Sequence, residues 1–278
     1  LKIKETIMSE LEKQYRVKPG ARLKLADYDP ADKSQTANDK AARNAQVAAL
    51  APQLDALQDL LYAEGKRKVL VVLQGMDTSG KDGTIRKVFQ NVDPLGVRVQ
   101  AFKAPTETEL AHDYLWRIHQ VVPRSGELVI FNRSHYEDVL VTRVKGWIDQ
   151  AETERRLAHI NDFERLLAET GTTIIKFFLH ISKDEQRERL QERIDNADKN
   201  WKFNPGDLED RKLWDAFQAQ YETVIAATSS AAAPWYIIPA DSKSARNQLI
   251  LEILIERLNA LDMQYPQVDT RDWPKTVE

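Results

Sequence analysis

The sequence predicts an α/β protein: a five-stranded parallel sheet with helices on both faces. Three observations carry that expectation. Five short apolar runs alternate with longer amphipathic segments along 278 residues, the pattern of parallel strands joined by helical crossovers. The first run, Val69–Leu73, feeds a glycine-rich turn and then a helical stretch. The chemically informative polar residues follow the ends of the runs, where open parallel sheets bind ligands.

Composition narrows the class. The length suits one large domain or a domain with an appendage, and 42% hydrophobic residues are enough for a sizeable core. Net charge is −3 with 30% charged residues, which argues against a nucleic-acid partner; a polyanion site would have to be a local basic patch. There is no cysteine, so disulfides and thiolate metal sites are excluded, as suits a reducing compartment. No run of about 18 apolar residues points to a membrane helix. The N-terminus lacks an apolar signal core. The expectation is a cytoplasmic protein with no membrane partner.

Each element has its own signal. Residues 1–37 have no clear period and read as an N-terminal arm that wraps the surface or reaches a neighbouring subunit. Asp39–Glu64 has helical spacing at Val47, Leu50, Leu54, Leu57 and Leu61. Pro52 predicts a kink or a second helix start, and Gly65 a C-terminal cap. After the glycine turn, Thr84–Val88 is helical and Val97–Phe102 an alternating strand. Thr106–Val122 reads as one helix stopped by Pro123. Glu127–Phe131 is the third strand. Ala151–Glu169 is a helix ended by Gly171, and Thr172–Leu179 is the fourth strand. Ser182–Ile194 is a charged helix with a capping box between Ser182 and Glu185. Asp195–Gly206 reads as a polar loop, and Asp207–Ala227 as a helix capped by Asp207. Ala226–Ala233 is a surface linker, Trp235–Ile238 the fifth strand, Ser242–Met263 a long amphipathic helix. The domain spans 38–264, and 265–278 is an extended tail.

The chemistry concentrates at the glycine turn. Gly75, four residues, Gly80 and Lys81 have the spacing of a phosphate-binding loop. Glycines let successive N–H groups converge on one anion, the helix dipole adds partial positive charge, and Lys81 adds a full one. Asp82 stands where Ser or Thr usually offers a hydroxyl to magnesium. A carboxylate there repels phosphate unless a cation intervenes. Asp77 reads as a magnesium ligand beside phosphate, or as a turn residue bonded to its own backbone. The strand Leu128–Phe131 ends in Asn132, where a phosphate-loop protein carries Asp; nearby Glu137 and Asp138 could supply the missing charge. Arg133 either clamps phosphate oxygens with its fork or pairs with Asp82 or Glu137. In the 182–194 helix Arg189 and Arg193 share a face. With Lys199, Lys202, Arg211 and Lys212 they form either a solvated charged face or a mobile basic lid. Trp201 and Phe203 would anchor that lid or belong to the core. Lys103, Thr106, Glu107, Glu109 and Arg117 follow the second strand, where a nucleotide kinase contacts its acceptor. The histidines have no metal-ligand spacing, and His135 reads as structural.

The stretches Gly75–Thr84, Phe131–Leu140 and Trp201-Lys202-Phe203, with Ala104–Glu107 and Trp116–Gln120, resemble the polyphosphate kinase 2 family. The resemblance covers about residues 15–266. It implies a three-layer α/β/α P-loop kinase fold like thymidylate kinase, with a helical lid over about 183–212. It implies phosphate transfer between inorganic polyphosphate and a nucleotide. Asn132 with Glu137 is similar to the branch that phosphorylates AMP, and in many members ADP, with guanine nucleotides as further acceptors. The implied catalytic set is Asp77, Lys81, Arg133 and Arg193. Gly75, Thr78, Gly80, Asp82, Gly83, Thr84, Lys103, Thr106, Arg117, Asn132, Glu137, Arg189 and Lys202 would bind nucleotide or polyphosphate. Asp77, Asn132 and Glu137 would hold Mg2+, with Mn2+ as the alternative. A basic groove toward Arg86 and Lys87 would hold the polymer. An ATP-dependent nucleotide kinase of the same fold, or a non-catalytic nucleotide-binding switch, are the competing readings. The apolar stripe of the last helix and the N-terminal arm suggest a homo-oligomer, dimer or tetramer.

Overall fold

All five strands are parallel, in the order β2-β3-β1-β4-β5. They are β1 (Lys68–Gln74), β2 (Val97–Ala101), β3 (Leu128–Asn132), β4 (Thr172–His180) and β5 (Trp235–Pro239). The computed structural model describes residues 9–271 and 273–276. The first eight residues of the expected arm, and residues 272, 277 and 278 of the expected tail, lie outside the described residues.

Central β1 is buried from Val69 to Gln74, as its unbroken apolar run requires of a strand covered on both faces. Its pairing aligns Leu73 with Asn132 of β3 and with Phe177 of β4. That register delivers the phosphate loop and the Asn132-Arg133 turn to the same edge.

The helices are α1 (Glu10–Tyr15), α2 (Lys40–Glu64), α3 (Lys81–Val88), α4 (Glu107–Leu110), α5 (Trp116–His119), α6 (Val141–Val144), α7 (Gln150–Glu169), α8 (Lys183–Asp195), α9 (Pro205–Lys212), α10 (Trp214–Thr228) and α11 (Lys243–Asn259). Helices α2, α3 and α11 pack together, and α6, α7 and α10 pack together. The chain leaves β1 toward β2 through α3, but crosses from β3 to β4 and β5 in the opposite direction. Right-handed crossovers then put the two groups on opposite faces, which gives three layers.

Several expectations need correction. Pro52 starts no second helix: it lies inside one helix from Lys40 to Glu64, capped by Asp39 and closed by left-handed Gly65 at φ 62°. The Thr106–Val122 segment is two short helices. Asp113 breaks it, accepting the Leu115 N–H at 2.9 Å on its side chain and the Trp116 N–H at 3.1 Å on its carbonyl; this starts a fresh turn. Ser182 caps α8 as expected, but Glu185 turns to Arg189 at 2.7 Å. Asp241 accepts the Ser182 N–H instead, at 2.8 Å. Helix α9 is capped by Asn204 with Pro205 in its first turn, so Asp207 is free to enter an ion pair. The chain breaks at Leu213 before α10. The 197–202 segment, expected as loop, is a 3-10 turn, and residues 135–138 form another.

The described part of the arm packs along β5 of its own chain. Arg16 bridges Tyr236, the Val17 N–H donates to the Trp235 carbonyl at 2.9 Å, and Tyr15, Val17, Leu23 and Leu25 join the core. This covers the β5 edge, which would otherwise expose unpaired backbone. Ser229, in the expected surface linker, is buried and donates to the Val17 carbonyl at 2.8 Å. The apolar residues of α11, Leu249 to Ile255 except Glu252, are buried within the chain, so they do not form a free face.

Candidate active site

The loop after β1 is tightly constrained. Gly75 has φ 150°, and a Cβ there would lie 2.8 Å from the Leu179 carbonyl of β4. Thr78 and Arg133 are non-glycine residues at φ 64° and 63°; for a β-branched threonine this costs of order 1–3 kcal/mol and is typical of functional sites. Lys81 crosses the loop and donates to the Gly75 and Met76 carbonyls at 2.7 and 3.2 Å. Burial pulls its pKa down, with Arg133 adding to that, while Asp77, Glu137 and Asp82 oppose it.

Arg133 pairs with Asp77, Nη2 to Oδ1 2.8 Å, rather than with Asp82 or Glu137. Burial disfavours its charge, but Glu137 and Asp77 outweigh burial and hold its pKa up. The Asn132 amide donates to Asp82 at 2.6 Å, so the loop's odd carboxylate is tied to the odd asparagine. Glu137 is pushed above the usual carboxylate range by burial and by Asp77, against Arg133 and Lys81.

In the 183–212 segment, expected as a lid, Arg193 donates to Asp207 at 2.9 Å and to the Lys202 carbonyl at 3.0 Å. Asp207 is pushed up to about 6 by burial first and Asp77 second, despite Arg193. Arg189 is buried. It donates to the Thr78, Ser79, Ala240 and Asp241 carbonyls between 2.7 and 3.2 Å, which makes it a tie between loop and lid. Lys202 Nζ lies 4.9 Å from the ring centre of Trp201, which is 76% exposed and so is no core anchor.

Two cavities open here. The first, about 520 Å³, is lined by the loop from Asp77 to Gly83 without Ser79, by Asn132 and Arg133, by the lid residues Arg189, Arg193, Lys199, Trp201 and Lys202, and by Lys243 and Arg246. The second, about 650 Å³, has Phe102, Tyr114, Trp147, Phe217 and Tyr221 as aromatic walls, with Gly75, Lys103, Arg117, Glu137 and Asp138 among its polar groups. They share Asp77, Phe102 and Arg133. Arg117 is fixed by donating to the Lys103 carbonyl at 3.0 Å and lies 3.6 Å from Asp138. Two expected residues line neither cavity: Thr84 is buried beneath the loop with no partner for its hydroxyl, and Thr106 is the N-cap of α4. Arg86 and Lys87 also lie outside the first cavity, whose outer wall comes from α11 instead.

The expected metal residues suit a hard cation in part. Asp77 and Glu137 offer carboxylates that repel each other, and Asn132, having given its N–H to Asp82, keeps its carbonyl oxygen. Among the described residues no group of three His, Cys, Asp or Glu could hold a metal alone. One or two carboxylates completed by phosphate oxygens is the arrangement magnesium prefers.

Sequence reading missed Trp147, Tyr221, Asp207 and Arg246. Arg246 had a signal. An arginine in the first turn of a helix opposes the helix dipole, so it needs another reason to be there. His135 is structural, as expected: it lies buried against Glu164, which also takes Lys176 Nζ at 2.5 Å. With Tyr136 they anchor the turn carrying Arg133 from below.

Fold and site together define a P-loop phosphotransferase architecture: a glycine loop and lysine after the first strand of a parallel sheet, facing a cation-lined cavity. A model of the polyphosphate kinase 2 family matches residues 37–267, and the chain belongs to that family. It is 60% identical over 266 residues to the AMP/ADP-polyphosphate phosphotransferase of Meiothermus ruber, 96% of this chain and 100% of that protein. It is 41% identical over 271 residues to the ADP-polyphosphate phosphotransferase of Rhodopseudomonas palustris, 92% of each. The crystal structure of polyphosphate kinase 2 from Arthrobacter aurescens TC1 matches with a TM-score of 0.90 at 43% identity, over 94% of this chain and 93% of that one. No helix of the described residues is long and apolar enough to cross a membrane.

Proposed function

We propose that this chain moves the terminal phosphoryl group of inorganic polyphosphate to AMP or ADP, reversibly, giving ADP or ATP. The observation that carries the reading is the meeting of two unlike cavities at Asp77 and Arg133. The first has eight cationic side chains against four carboxylates, suited to a long polyanion. The second has apolar and aromatic walls with a few fixed polar groups, suited to a nucleotide. The names borne by the relatives support the same substrates.

In this mechanism the loop and Lys81 hold the donor's terminal phosphate. Lys81 gives up its carbonyl contacts for phosphate oxygens. Arg133, at the junction, binds the group in transfer, and Arg193 leaves Asp207 to join it. A phosphoanhydride bond of the polymer breaks as a nucleotide phosphate oxygen bonds to phosphorus; the polymer departs one unit shorter. The cations offset charge on the equatorial oxygens. That nucleophile is already anionic at neutral pH, so no side chain needs to take a proton. Asp77, Glu137 and the Asn132 carbonyl would hold Mg2+, or Mn2+ in its place, which when bound supplies positive charge between the phosphates.

The test is an assay with magnesium, each of AMP, ADP, GMP and GDP, and either polyphosphate or ATP as donor, with products resolved. Nucleotide products formed from polyphosphate are expected. Turnover with ATP alone would favour a nucleotide kinase, and nucleotide binding without turnover a switch.

A further inference from the structure

Two arginines lie buried behind the phosphate loop, and they differ in compensation. Arg189 has a carboxylate partner, Glu185, at 2.7 Å. Arg246, in the first turn of α11 and 2% exposed, has no ion-pair partner among the described residues. Its Nε and Nη2 donate to the side-chain oxygen of Asn247 at 3.2 and 2.9 Å, and its Nη1 to the Ser79 carbonyl at 3.1 Å.

Apart from those acceptor oxygens, its surroundings disfavour that charge. It is desolvated, it stands at the positive end of a helix, and Arg189 is close enough to depress its pKa, which burial and that neighbour bring to about 9. Yet it is held in direct contact with the loop. A Cβ on Gly80 would fall 1.9 Å from Arg246 Nη1, and Gly80 has φ 103°. Both arginines donate to the Ser79 carbonyl. This polarises the Ser79–Gly80 peptide from behind and makes the Gly80 N–H a stronger donor. Arg246 also lines the cationic cavity, next to Lys243.

We propose that Arg246 is a positioning residue for the donor: a buried cation whose missing counter-charge is the phosphate chain itself. It acts through the Ser79–Gly80 peptide and through its field, and it favours a condensed phosphate over a less charged donor. The inference rests on the donor being inorganic polyphosphate, as proposed above.

The experiment compares wild type, Arg246→Met and Arg246→Lys in two measurements. In steady-state assays, Arg246→Met should raise the polyphosphate KM about tenfold or more, the scale of one charge-assisted hydrogen bond. It should leave the AMP KM within about twofold, and make the log–log dependence of polyphosphate KM on salt shallower by roughly 0.7. Arg246→Lys should recover most of the donor affinity. In thermal melts without nucleotide, Arg246→Met should match or exceed wild type alone, because an uncompensated charge is gone, and should lose most of the Tm gain given by tripolyphosphate. A structural peg predicts the reverse: a lower Tm alone, with donor KM and tripolyphosphate gain unchanged. That result, or Arg246→Lys as impaired as Arg246→Met, would overturn the proposal. Should Arg246→Met not fold, Arg246→Lys decides by its tripolyphosphate gain: retained, it supports the proposal, and lost, it defeats it. A wild type that turns over no polyphosphate would instead refute the proposed function, a distinct result.

Discussion

Under the proposed function, the two cavities that meet at Arg133 solve different recognition problems, one as the donor cavity and one as the acceptor cavity. The donor cavity has Trp201 and Phe102 as its aromatic residues, and its wall is otherwise the polar loop and cations from the lid and α11. The acceptor cavity is larger and aromatic, and carries more carboxylates than cations. A repeating polyanion offers charge and no shape, so a ring of cations suffices and its affinity should fall with salt. A nucleotide offers a flat apolar base and few polar handles, so walls and fixed groups are needed. Specificity therefore belongs to one side and charge to the other.

Substitutions where the sides join should hurt most. Lys81→Ala should lower kcat by about three orders of magnitude, the scale of losing a preorganised cation at a transferring phosphoryl group; circular dichroism should show the fold retained. Arg133→Ala should follow at about a hundredfold or more, with kcat falling for every donor–acceptor pair, because Arg133 belongs to both cavities. A loss confined to one substrate would mean that the junction lies elsewhere. Trp147→Ala should be milder and one-sided. Trp147 is 70% exposed at the acceptor cavity, and losing an aromatic contact worth about 1 kcal/mol should raise the AMP KM about fivefold. The polyphosphate KM should not move. If both rise together, the two cavities are one site.

How much of this was legible in the sequence follows from the range of each interaction. The phosphate loop was readable because its parts are contiguous: an apolar run, two spaced glycines and a lysine, each needed by local geometry. The strands and the Gly65 cap of α2 were readable for the same reason. Helix breaks were harder. Asp113 and Asn204 act through side-chain bonds to nearby backbone N–H groups, and the periodic apolar pattern runs on through such breaks. Tertiary competition was not readable. Glu185 has the spacing of a capping partner, but Arg189 claims it and Asp241 takes its place across 59 residues. The donor wall on α11 lies far along the chain from the loop, and only the packing of α11 against α3 brings them together.

The lid latch gives the smallest effect and the sharpest test of the charge argument. Asp207 holds Arg193 in the donor cavity, yet its pKa is raised from 3.8 to about 6. The folded state therefore binds this proton more tightly than the unfolded chain. Stability is lost as pH rises from about 4 through 6, and the full penalty remains above that. A shift of about two units caps it at about 3 kcal/mol. Asp207→Asn should thus melt higher than wild type at pH 7–8, with the difference closing between pH 6 and pH 4. The same change removes one of the four carboxylates facing the donor and frees Arg193, so the polyphosphate KM at pH 7.5 should fall about two- to threefold. The AMP KM should stay put, since Asp207 does not line the acceptor cavity. A melting difference that stays constant from pH 4 to pH 8 would show that Asp207 acts by packing. The donor cavity's charge balance would then rest on Asp77, Asp82 and Glu192 alone.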